Sequence, residues 1–114
     1  MQINGKPLNL LYTIYAELKI QELMMVHDAK TLGDLFKKRY METLIDVAVI
    51  MSEAYARKYG ATAITLDEIL NAPADELAGF DNAVGQAIKE GEYRTVESEN
   101  PKPKKAKKST GQSS

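Results

Sequence analysis

Few residues in this chain are able to perform acid–base or nucleophilic chemistry. The chain has no cysteine and a single histidine, His27, which is followed by Asp28. A histidine–carboxylate pair forms half of a catalytic dyad in many enzymes, but here no serine lies in a G-x-S-x-G motif and no cysteine is present as a nucleophile. Neighbouring helix residues also point to different sides of a helix. The sequence therefore predicts that His27 is a surface residue at a helix end and that the protein is not an enzyme.

The carboxylates that stand side by side form two pairs, Asp67-Glu68 and Asp75-Glu76. Both pairs fall in the expected first turns of helices, where acidic side chains cap free amides and complement the helix dipole. The sequence contains no calcium loop of the D-x-D-x-D-G type, no E-x-x-H motif and no glycine-rich phosphate loop. We therefore expect no metal site and no cofactor.

Length and composition are typical of one small soluble domain. The chain has 114 residues, of which 44% are hydrophobic and 27% are charged. No apolar run approaches the roughly 18 residues needed to cross a bilayer. The first residues contain a turn dipeptide where a signal peptide would have its apolar core. We expect no membrane association.

Charge is distributed unevenly along the chain. Residues 101–114 contain five lysines and no acidic residue, which leaves 10 basic and 16 acidic residues in positions 1–100 and a charge of −6 there. An acidic body is unlike that of a globular nucleic-acid binder, so nucleic acid is not the expected partner. From Ser98 onward the sequence has no large apolar residue, which predicts a disordered lysine-rich tail after a helical domain at residues 1–97.

The lysine-rich tail has two interpretations. It keeps the protein soluble, or it attracts nucleic acid or an acidic partner by charge alone. It has no aromatic residue to stack on bases, which disfavours selective binding of single strands. The second interpretation leads to an alternative function, a small DNA-associated adaptor or regulatory protein anchored by its tail.

Apolar spacing and capping residues predict a mainly α fold: a compact domain of about four helices after a short β-hairpin. Asn4-Gly5 is typical of a two-residue hairpin turn. The third helix should begin with a capping box formed by Thr65 and Glu68. The expected helices run from Thr13 to Val26, from Thr31 or Asp34 to Lys58 or Tyr59, from Thr65 to about Ala72, and from Ala74 or Asp75 to Lys89, with Gly60 and Gly91 as C-caps of the second and the fourth. The second helix is apolar nearly all round at residues 44–51, which makes it the expected centre of the core.

Two apolar stripes run along the first helix when its residues are placed at 100° intervals. A helix at the edge of one core needs only one stripe. The second stripe means either that the helix is sandwiched inside the domain or that one stripe meets another chain. The first stripe contains Ala16, Ile20, Leu23 and Met24, and the second contains Ile14, Leu18 and Met25.

Methionine and aromatic residues are the most informative of the remaining features. Met24 and Met25 lie on the helix with two stripes. Methionine side chains adapt to varied apolar surfaces and are common where partners are bound loosely. Phe36 and Tyr40 lie four residues apart, a spacing that brings two rings together on a helix as an aromatic anchor.

The chain resembles the tail assembly chaperones of long-tailed bacteriophages and prophages over about residues 1–90. The similarity begins with Ile3–Lys6, an Asn-Gly-Lys turn, and continues through Tyr12–Leu18 into a helix that contains alanine. It also includes the end of a long apolar helix at Met51–Arg57 and a Thr-Leu-Asp-Glu-Ile-Leu helix start at Thr65. Between the turn and the first helix lie Leu8 and Leu10.

This resemblance implies a small, helical protein without enzymatic activity. Members of the family are thought to coat the tape measure protein and recruit tail tube subunits in the host bacterial cytoplasm, and they are absent from the mature virion. They tend to self-associate, and a longer form is often made by programmed frameshifting. The lysine pairs of the tail would have adenine-rich codons, on which ribosomes slip. The family has no catalytic set to carry over.

The resemblance and the residue types together predict one adaptable apolar surface that binds the tape measure protein. A long helical partner with apolar seams requires repeated weak contacts and no chemistry. We place this predicted binding surface around Leu23, Met24, Met25, Phe36 and Tyr40.

Overall fold

The computed structural model describes residues 1–99, with side chains described as far as Gly91. The fold is mainly α-helical and begins with a two-stranded antiparallel hairpin, which confirms the predicted fold class. Within the described residues there are five α-helices, one more than expected. The elements are β1 (Gln2–Ile3), β2 (Lys6–Pro7), α1 (Ile14–Val26), α2 (Leu32–Lys38), α3 (Tyr40–Tyr59), α4 (Leu66–Leu70), a 3₁₀ turn (Ala74–Leu77) and α5 (Phe80–Glu99).

The hairpin turns at the predicted dipeptide. Asn4 and Gly5 have φ angles of 55° and 81°, the left-handed region that a tight two-residue turn requires. The backbone amide of Asn4 donates to Glu76 Oε1 at 2.6 Å, and Lys6 Nζ donates to Glu68 Oε2 at 2.6 Å. These contacts join the hairpin to α4 and to the 3₁₀ turn.

Helix α3 is the centre of the core, as predicted. It contacts α1, α2, α4 and α5. Its buried polar side chains are both hydrogen-bonded: Thr43 Oγ1 donates to the Leu35 carbonyl at 3.3 Å, and Ser52 Oγ accepts the Ile64 amide at 2.8 Å. Gly60 ends the helix at φ 70°, in the predicted left-handed C-cap. The buried apolar residues of α3 are Leu44, Val47, Ala48, Met51 and Ala54.

The prediction of one long helix from Thr31 or Asp34 to residue 58 or 59 is wrong, because the chain breaks at Arg39. Arg39 has φ −146° and ψ 66°, which ends α2 and starts α3 in a new direction. The bend allows Leu35 of α2 to be fully buried, and the Thr43 hydroxyl of α3 then reaches the Leu35 carbonyl. No glycine or proline marks the break in the sequence.

The capping box at Thr65 and Glu68 is present, and it begins α4 as predicted. The prediction of a helix from residue 74 or 75 to Lys89 is wrong at both ends. Residues 74–77 form only a 3₁₀ turn, and Gly79, at φ 80°, redirects the chain before α5 begins at the fully buried Phe80.

Gly91 was expected to cap the last helix, but α5 continues through it to Glu99. A Cβ atom added at Gly91 would overlap the Cβ and Cγ atoms of Tyr12. The glycine therefore serves close packing of α5 on the segment that precedes α1. The first two residues of the predicted tail, Ser98 and Glu99, are included in α5, and from residue 100 onward the predicted lysine-rich tail lies outside the described residues.

Candidate protein-binding surface

Helix α1 presents an apolar face to solvent on the side opposite to its core contacts. Thr13 caps the helix by accepting the Ala16 amide, and Ala16 and Ile20 are buried against the core. Residues of the second apolar stripe point away from the core and are 80%, 55% and 79% exposed. We call this stripe the α1 outer face, and it consists of Ile14, Leu18 and Met25.

The exposure of the α1 outer face shows that the sandwiched interpretation of this helix is wrong. Eleven residues separate the two ends of the stripe, which corresponds to about 16 Å, or three turns. Val26, which follows Met25 at the end of the helix, is also exposed. Large exposed apolar patches on small proteins often mark binding sites for other molecules.

Polar contacts with α3 fix the orientation of α1 near its N-terminal end. Tyr15 Oη donates to Glu53 Oε1 at 3.1 Å, and the Arg57 guanidinium lies 4.5 Å from the centre of the Tyr15 ring. Burial raises the pKa of the Tyr15 hydroxyl, and the hydrogen bond to Glu53 raises it further. A neutral tyrosine therefore keeps this contact over the whole physiological range of pH.

A second set of polar contacts holds the C-terminal end of α1. Arg39 Nη1 lies 3.0 Å from His27 Nε2, and since an arginine only donates, the histidine nitrogen accepts. Asp46 faces both groups; burial raises the pKa of its carboxyl, although Arg39 and His27 act in the opposite direction. His27 is the C-cap of α1, as expected, but it is half-buried rather than at the surface. His27 is paired with Arg39, so this cluster serves to hold the C-terminal end of α1 in place.

The five residues of the predicted binding surface do not form one exposed patch. Phe36 and Tyr40 are in contact, with ring centroids 5.9 Å apart, but they lie on α2 and α3 and not on one helix as predicted. Leu23 and Phe36, however, are half-buried and pack against the core. Met24 is also half-buried, and only Met25 and Tyr40 are exposed.

Helix geometry explains this division. Consecutive residues differ by about 100° around the axis, which turns Met24 toward the side of Ile20 and leaves Met25 on the outer face. Leu23 lies on the same side of α1 as Ile20, and it is therefore drawn to the core. Ile14 and Leu18 belong to the exposed face but are not part of the predicted surface. Their place in the second apolar stripe is the sequence signal by which they could have been found.

Polar residues border the α1 outer face on both sides. Glu17 accepts hydrogen bonds from Gln21 Nε2, at 3.1 Å, and from the Tyr12 hydroxyl. On the other side, Glu22 Oε1 lies 3.6 Å from Lys19 Nζ in an exposed ion pair. The surface thus combines an apolar centre with a charged rim, which is the usual anatomy of a protein-binding site.

Within residues 1–99, no helix combines the length and the apolar character that crossing a bilayer requires. Among the same residues, histidine and carboxylate side chains form no group of three or more suited to holding a metal ion. Comparison of the chain with protein-family models, with curated proteins and with solved structures finds no match.

Proposed function

We propose that the protein is a non-enzymatic phage tail assembly chaperone that binds the tape measure protein through the α1 outer face. The observation that supports this proposal is the apolar stripe of Ile14, Leu18 and Met25, interrupted by the polar Gln21 and exposed on a helix whose two ends are held by polar contacts with the rest of the fold. A rigid helix with an unpartnered apolar stripe is suited to pairing with a second helix.

The size of the stripe favours weak, repeated binding. Complete burial of one large apolar side chain contributes about 1.5–3 kcal/mol, so three such residues provide at most about 4.5–9 kcal/mol before the costs of association. Those costs are of similar size, which leaves a weak individual contact. Copies that associate with one another along one long helical partner would then reach useful affinity through multivalency.

The proposal includes the further roles that the family resemblance implies. The chaperone recruits tail tube subunits to the coated tape measure protein, self-associates, and acts in the host bacterial cytoplasm without remaining in the mature virion. A longer form made by frameshifting would carry the same helical domain with a different C-terminal extension. A slippery heptamer in the gene near the codons of the paired lysines, with an overlapping downstream frame, would support this form.

The test is co-purification with the tape measure protein encoded by the same phage or prophage. The double variant Leu18→Glu with Met25→Glu places charge in the centre of the α1 outer face and should abolish co-purification. Both side chains are exposed, so the helical circular dichroism signal should not change. A matched control, Leu66→Glu with Leu70→Glu, places the same charge on exposed positions of α4 and should bind normally.

Two outcomes would contradict the proposal. One is full binding by the α1 double variant while it remains folded. The other is loss of binding in the α4 control alone, which would move the binding site to α4. Salt-sensitive DNA retention that disappears when residues 101–114 are removed, without any binding to the tape measure protein, would favour the alternative DNA-associated function instead.

A further inference from the structure

Residues along the α1 outer face are spaced like the core positions of one helix in a coiled coil. Ile14, Leu18, Gln21 and Met25 follow each other at spacings of four, three and four residues, which places them along one seam. The positions that flank a seam set partner choice and orientation in helix pairs. On α1 the charged residues at flanking positions are Glu17 on one side and Glu22 on the other, and both are exposed.

Both flanking carboxylates are available to a partner. Glu17 is hydrogen-bonded by neutral donors, the Gln21 amide and the Tyr12 hydroxyl, so its negative charge is not neutralised. Glu22 has Lys19 at 3.6 Å, but their side chains are 66% and 44% exposed. Exposed pairs of this kind contribute little energy, so Glu22 can exchange Lys19 for a cation on another chain.

A second copy of this chain fits the seam poorly. In a parallel pair, Glu17 of one copy would face Glu22 of the other, which places like charges together. In an antiparallel pair, Ile14 of one copy would face Met25 of the other. In the two layers between these ends, the apolar Leu18 would then face the polar Gln21. Neither arrangement supplies a cation to Glu17 or Glu22. The rim of this face therefore favours a different chain as the partner.

We propose that the α1 outer face binds a helix of another protein that has an apolar seam of about three turns flanked on both sides by lysine or arginine. This inference rests on the proposed function and specifies the chemistry of the partner segment. The apolar seam supplies contact area, and the basic flanks meet Glu17 and Glu22, which selects this segment over other apolar helices and sets its register.

The test uses two synthetic helical peptides of about three heptads with the same leucine seam. One has lysine at every flanking position and the other has glutamate. Binding to the full chain is measured by fluorescence anisotropy at low and at moderate salt. The lysine peptide should bind about tenfold more tightly, and the preference should decrease as salt screens the exposed charges.

Charge-reversal variants identify which carboxylates cause the preference. Glu17→Lys with Glu22→Lys should reverse it, so that the glutamate peptide binds more tightly. The control Asp75→Lys with Glu90→Lys makes the same change in net charge at exposed positions outside α1 and should retain the original preference. Equal binding of the two peptides to the unmodified chain, or reversal by the control variant, would overturn the inference.

The outcomes separate this inference from the proposed function. Equal binding of both peptides, abolished by Leu18→Glu with Met25→Glu, would refute the basic partner while leaving a helix-binding face intact. A clear preference for the lysine peptide without any binding to the tape measure protein would support the inference and contradict the proposed function. A stable dimer of the chain that Met25→Glu dissociates would overturn the inference, because the face would then be occupied by a second copy.

Discussion

Two glycines of α5 are expected to respond in opposite ways to the same substitution. At Gly91 an added Cβ would overlap the Cβ, Cγ and Cδ1 atoms of Tyr12, which lie near the tyrosine backbone and cannot move away cheaply. At Gly85, which is exposed, an added Cβ meets no atom within 4 Å. Both positions gain helix propensity from alanine, by up to ~1 kcal/mol.

The net effects follow from the balance between propensity and overpacking. Overpacking typically costs about 1–3 kcal/mol, so after the propensity gain Gly91→Ala should lower the free energy of unfolding by up to about 2 kcal/mol. Gly85→Ala should raise it by about 0.5–1 kcal/mol. In a domain of this size, each kcal/mol shifts the melting temperature by roughly 4–8 °C.

The assay is urea unfolding followed by helical circular dichroism, with a thermal melt of the same samples. Gly85→Ala serves as the matched control, because it is the same substitution in the same helix. If Gly91→Ala is as stable as Gly85→Ala, α5 does not pack closely on Tyr12, and the position assigned to α5 is wrong.

Three further substitutions test the polar contacts of the fold. Ser52→Ala removes the acceptor of the buried Ile64 amide and should cost about 1–3 kcal/mol in urea unfolding; an unchanged midpoint would refute this contact. Lys6 and the Thr65 backbone lower the pKa of Glu68, so its stabilising contribution is present at neutral pH and is lost as the pH falls through that lowered pKa. Stability of Glu68→Gln should accordingly fall less than that of the unmodified chain on acidification to pH about 3, and equal losses would contradict the assignment. Burial raises the pKa of Asp46, so its charged form is destabilising at neutral pH, and Asp46→Asn should increase the melting temperature at pH about 7; a decrease would show that attraction to Arg39 dominates.

Local signals in the sequence were sufficient for the features that depend on neighbouring residues. The Asn4-Gly5 turn, the Thr13 cap, the Gly60 C-cap and the capping box at Thr65 are all determined within a few residues, and each is present as predicted. The burial of residues 44–51 also followed from their composition.

Features that depend on contacts far apart in the sequence were not predictable in the same way. The break at Arg39 has no glycine or proline, and its hydrogen-bond partner, His27, lies 12 residues earlier at the end of α1. Gly91 has the typical appearance of a C-cap, and only the position of Tyr12 reveals its packing role.

The candidate surface shows the same limit. The sequence revealed two apolar stripes on α1 but not which of them the core would cover. The structure buries Ala16 and Ile20 and leaves Ile14 and Leu18 exposed. The predicted surface therefore included Leu23, which the core partly covers, and omitted two residues that face solvent.

The most direct test of the proposed binding is photo-crosslinking during tail assembly. A photoreactive amino acid replaces Leu18 on the α1 outer face in one strain and the similarly exposed Leu70 on α4 in another. After irradiation of cells that also produce the tape measure protein, position 18 should give a covalent adduct with that protein, and position 70 should not. An adduct from position 70 alone, or none from position 18 while assembly proceeds, would contradict the proposed binding site.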